Sequence, residues 1–135
     1  MQSFLGSAHS GWRWIVLLSA AFATVWLGLT LVGALKNARV ERVVILIYAI
    51  ALDVMWLLGL LHFIERLTVN GFYAELLIHL AVGLIALGFM HAMIRRARKQ
   101  DGMARTRLNF LAVIVPLVLV FFGVAVLVGG LGRWF

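Results

Sequence analysis

Four uncharged or nearly uncharged apolar runs, each about long enough to cross a bilayer, dictate what this chain can fold into. They extend from Trp14 to Leu35, from Val43 to Ile64 with Asp53 inside, from Leu76 to Ile94, and from Leu108 to Gly132. An α-helix of roughly 20 apolar residues crosses the roughly 30 Å hydrocarbon layer. Within that layer every backbone N–H and C=O needs an internal partner, which leaves helices and closed barrels. None of the runs alternates with a period of two, so helix is chosen. Spans at 12–35, 43–65, 73–95 and 108–132 use most of the 135 residues and leave only tails and short loops. The expected fold is a single all-α domain, an integral membrane four-helix bundle running up and down.

Composition agrees, with 64% of residues hydrophobic and 13% charged, against about 45–50% and about 25% in soluble domains. A soluble catalytic domain, a nucleotide fold and a second domain are excluded. The first run lacks a basic leader and is too long for a cleaved signal peptide, so it reads as a span. There is no cysteine, which excludes disulfides, thiolate zinc sites, cysteine-held iron–sulfur clusters and covalently attached haem.

The net charge of +7 would suit nucleic acid, but the cations are placed as topology signals and no nucleic-acid partner is expected. Lys36, Arg39, Glu41 and Arg42 balance to +2 between the first two runs. Arg95, Arg96, Arg98, Lys99, Asp101, Arg105 and Arg107 balance to +5 between the last two. Glu65, Arg66 and Glu75 flank an Asn70-Gly71 turn and balance to −1. Excess Lys and Arg mark cytoplasmic loops, so both basic loops are expected inside and both termini outside. The basic loops then read as solvated segments that attract anionic lipid headgroups. Trp12, Trp14, Tyr73, Trp134 and Phe135 are expected to form an outer aromatic belt. Small residues (Ala20, Thr24, Gly28, Ala81, Gly88, Ala92 and Gly123) are expected where helices approach closely, and Pro116 is expected to kink the fourth span.

Ionisable groups within spans are costly and each needs a reason. Asp53, near the middle of the second span, reads either as a neutral carboxyl bonded to a hydroxyl such as Thr24 or Ser19, or as a proton relay. His9 precedes the first span, His62 closes the second and His79 opens the third, so all three fall toward the outer side. His62 and His79 lie at similar depth on neighbouring helices, as a pair ligating one haem iron requires. Gly59 and Gly83, each about a turn deeper, would leave room for a flat macrocycle, and Arg13 or Arg66 would meet a propionate or a quinone carbonyl. The histidines read equally as interfacial side chains that pair with Glu65 or Glu75 and bind nothing. Haem b, a quinone or chlorin, and no cofactor therefore all stay open. His91 is near the cytoplasmic end, with no partner histidine on its side.

The segment His9-Ser10-Gly11-Trp12-Arg13-Trp14, followed by an aliphatic run, resembles the start of small four-span bacterial membrane proteins often labelled cytochrome b-like. Trp56-Leu57-Leu58-Gly59-Leu60, Glu75 and the Arg133-Trp134-Phe135 ending are similar to features of the same family. The resemblance implies haem binding in a bacterial inner-membrane protein, and His9 and Arg13 carry over directly. The chain departs from the family where a second-span histidine is replaced by Asp53, and where a third-span histidine is replaced by Leu76.

Three functional expectations follow. One is a small subunit of a larger respiratory or photosynthetic electron-transfer complex, structural or cofactor-adjacent, in contact with membrane lipids and partner subunits. Another is a self-standing b-type cytochrome. The last is a small transporter or proton channel centred on Asp53. No nucleophile–base pair, redox cysteine or phosphate loop points to independent catalysis.

Overall fold

The computed structural model describes residues 4–70 and 74–127, which form four α-helices and no strand. These are α1 (Phe4–Leu31), α2 (Ala38–Asn70), α3 (Ala74–Ala97) and α4 (Gly102–Leu127). Each holds a stretch long and apolar enough to cross a bilayer, so the chain is a multi-pass membrane protein. Each helix packs on the next in chain order and α4 closes the ring against α1, while the diagonal pairs scarcely touch. That is an up-and-down four-helix bundle. The α3–α4 contact is the most extensive, and α2–α3 is the loosest of the four neighbouring pairs.

The helices are longer than the apolar runs because their ends are set by capping chemistry rather than by hydropathy. α1 stops at Leu31 through a Schellman motif. Gly33, in the left-handed region at φ 81, donates its N–H to Thr30 O (3.1 Å), and Ala34 N–H reaches Leu29 O (2.9 Å). Asn37 caps α2, its Oδ1 accepting from the backbone N–H groups of Arg39 and Val40, both at 3.1 Å. α1 also begins earlier than its apolar run, at Phe4, so His9 is a helical residue and not part of a leading tail.

The packed core occupies one half of the bundle. Ala20, Ala23 and Leu27 of α1 share a buried cluster with Val44, Tyr48 and Leu52 of α2, Met90 and Ile94 of α3, and Ala112 and Val113 of α4. All of these lie toward the helix ends joined by the basic loops. Toward the other end, no residue from Asp53 to Val69 on α2, or from Leu76 to Ile85 on α3, is fully buried. Among the described residues, full burial is therefore concentrated at the basic-loop end. Pro116 lies inside α4 with its ring buried. It leaves the Ala112 carbonyl without a helical donor, next to the Val113 carbonyl that accepts from the Tyr48 hydroxyl at 3.4 Å.

Several expected placements change. Trp12 turns inward, its indole N–H donating to the Ala51 carbonyl at 2.9 Å, so it ties α1 to α2 instead of joining an interfacial belt. Trp14 does face outward. Ala20 is buried between helices as expected, but Ala81 and Gly88 face away from the bundle. Gly71, Tyr73, Arg133, Trp134 and Phe135 lie outside the described residues, as does the side chain of Glu75.

Candidate functional site

Three histidines converge at the end of the bundle away from the basic loops, each from a different helix. His9 of α1 reaches across to α2, where its Cε1 lies 3.1 Å from the position a Cβ on Gly59 would take. Its Nδ1 is buried without a hydrogen-bond partner. The ring centre of His9 is 6.5 Å from that of His62 with the planes 20° apart, and 6.4 Å from that of His79 with the planes 86° apart. His62 and His79 make no ring contact with each other. The direct His62–His79 pairing expected from their depths is thus replaced by a cluster with His9 at its centre. The reason is the early start of α1, which holds His9 on a rigid helix facing the loosely packed α2–α3 seam.

The rings are oriented by their surroundings. His62 Nδ1 is 3.1 Å from Glu65 Oε2, one helical turn away. That leaves Nε2 as its outward-directed nitrogen, in the carboxylate–histidine arrangement that fixes metal-ligating imidazoles. Two imidazoles sharing one ion, with metal–nitrogen bonds of about 2 Å, have ring centres on the order of 6 Å apart. Both His9 pairs match that spacing. No group of three or more His, Asp or Glu side chains among the described residues is arranged to hold a bare metal ion.

The two glycines expected to make room for a macrocycle have a different role. The notch at Gly59 holds the His9 ring, and the notch at Gly83 holds Trp56, whose Cδ1 is 3.2 Å from the built Cβ position. Each glycine admits a side chain from a neighbouring helix. Trp56 Nε1 is buried there without a hydrogen-bond partner. Arg13, one turn deeper on α1 than His9, is partly buried with its guanidinium 5.5 Å from the Trp14 ring centre, while Arg66, one turn from His62, is exposed.

Asp53 and His91 form a second polar pair. Asp53 Oδ1 is 2.8 Å from His91 Nε2. The hydroxyls expected to satisfy Asp53 are engaged or turned elsewhere: Ser19 Oγ donates to the Val16 carbonyl, and Thr24 Oγ1 is buried with no partner. α1 packs chiefly on α2 and α4, and Asp53 points toward α3. His91, for which no partner histidine was visible, is paired with Asp53.

Sequence reasoning treated Glu41 only as a loop charge. The structure buries it, 1% exposed, at the basic-loop end. It accepts from Asn109 Nδ2 (2.7 Å), Thr106 Oγ1 (3.0 Å) and Arg105 Nε (3.4 Å), locking α2 to α4. The available signal was Thr106 and Asn109, polar residues one turn apart at the entrance to an apolar run.

Compared with protein families, curated proteins and solved structures, the chain matches none.

Proposed function

We propose that this chain is an electron-transfer protein of the bacterial cytoplasmic membrane, a small subunit of a larger complex, holding one b-type haem at the outer end of its bundle. The observation that carries the reading is the cluster of His9, His62 and His79, with His9 Nδ1 buried and without a hydrogen-bond partner. Unpartnered buried nitrogens are costly, and a ligand that accepts them removes the cost. In this reading His9 and His62 would ligate the iron. Their rings are near parallel, and Glu65 holds the second by its Nδ1. His79 stands edge-on to His9 and would border the bound group. Arg13 supplies a cation for a carboxylate of the bound group. A haem iron, when bound, supplies a one-electron couple; the protein's part is ligation, orientation and a low-dielectric surround.

Reduced-minus-oxidised difference spectra of protein purified from native membrane test the reading. A b-type band is expected in the unaltered protein and in His91→Ala. It is expected to vanish in His9→Ala and in His62→Ala, and to persist with a shifted maximum in His79→Ala. Loss of the band in His79→Ala with retention in His62→Ala would move the second ligand to His79.

A further inference from the structure

Asp53 and His91 sit where a membrane protein can least afford them. Asp53 is 12 residues from Glu41 and 12 from Glu65 along α2, about 18 Å from each at 1.5 Å per residue, which puts it near the bilayer midplane. Yet the side chains of the pair are 44% and 46% exposed. They are not tucked into the bundle axis. Asp53 is in line with the outward-facing Ile50 and Leu57 of α2, and His91 with Leu84 and Gly88 of α3. Their mutual bond uses Oδ1 and Nε2 only; Asp53 Oδ2 and His91 Nδ1 have no hydrogen bond among the described residues. Hydrocarbon offers those atoms nothing, and polar groups at such depth face protein or a water-filled cavity.

We propose that this α2–α3 face is the contact surface of a homodimer in which each Asp53–His91 pair bonds to the same pair of a second copy. The patch is self-complementary. With one proton between Oδ1 and Nε2, the pair presents one free acceptor, Oδ2, beside one free donor, Nδ1–H. A two-fold axis running through the contact sets each donor of one copy against the acceptor of the other, as an isologous interface requires. Charge balances at every step, because each pair is neutral before and after association. The surrounding surface permits the approach. Ala81 and Gly88, seven residues apart, face outward on α3, and a Cβ built on Gly88 meets nothing within 4 Å. Small residues at that spacing let membrane helices come close enough to hydrogen-bond. The inference rests on this face alone and is independent of the haem reading.

The absence of native cysteine makes the test direct. Single cysteines at Ala81, Leu84 and Gly88, oxidised in native membranes, are expected to give a disulfide-linked dimer of twice 15.0 kDa from at least one position. Phe22→Cys on α1 and Val118→Cys on α4, which also face outward, are expected to stay monomeric. Adding Asp53→Leu with His91→Leu, a change that makes the face more apolar, is expected to lower the dimerisation constant in lipid about tenfold. Failure of all three α3 cysteines to cross-link, equal cross-linking at the controls, or a dimer unaffected by the double leucine change would each overturn the proposal. So would a different protein cross-linked to the α3 cysteines in place of the second copy. The cysteine arm stands even if the double variant does not fold.

Discussion

A buried carboxylate with three donors around it is expensive to disturb. Glu41→Ala leaves the Asn109 amide, the Thr106 hydroxyl and the Arg105 guanidinium without their shared acceptor, and removing one member of such a buried set costs about 3 kcal/mol. The expected result is a clear fall in the midpoint of denaturant-induced unfolding, with Glu41→Gln falling less because it keeps an acceptor oxygen. An unchanged midpoint would mean that the network contributes nothing. Gly59 tests the histidine cluster in the same way. A methyl group there would stand 3.1 Å from His9 Cε1, so Gly59→Ala is expected to displace the ring and reduce bound haem. Gly88→Ala, whose Cβ has open space, is expected to leave haem content unchanged. At this scale the sequence was partly legible. It marked Asp53, Glu41 and all four histidines as ionisable, but gave no hint that Asp53 meets His91 or that His9 sits between His62 and His79. Those pairings depend on helix rotation, which a strongly apolar span hides because nearly every face looks alike.

Helix ends were the least legible elements. Apolarity locates the stretch in the hydrocarbon, whereas the helix continues into the interface until a cap stops it. Gly33 and Asn37 are such caps, and both were visible as residues without being recognised as boundaries. The left-handed φ of 81 at Gly33 predicts that Gly33→Ala costs about 1 kcal/mol, read as a lower thermal midpoint in detergent. A neutral effect would show that the turn relaxes into another geometry. The small residues divide between two kinds of surface. Ala20 lies inside the bundle, but Ala81 and Gly88 face out. A small-residue pattern reports close approach without saying whether the approaching helix belongs to the same chain.

Among the described residues, full burial is concentrated at the basic-loop end of the bundle. Four spans, their order and their antiparallel arrangement were all readable from run length and loop length. That uneven packing was not, because it depends on which side chains interlock. Loop charges of +2 and +5 against −1 predict that Arg98→Cys resists a membrane-impermeant thiol reagent in intact cells and that Asn70→Cys reacts. The reverse pattern would put the histidine end on the cytoplasmic side. The central claim is that the histidine end holds a bound haem, and haem stoichiometry measures it most directly. Protein isolated gently from native membrane, with its partners retained, is expected to contain one non-covalently bound haem per 15.0 kDa chain. A stoichiometry near zero in such a preparation would contradict the account and leave the three histidines as packing residues.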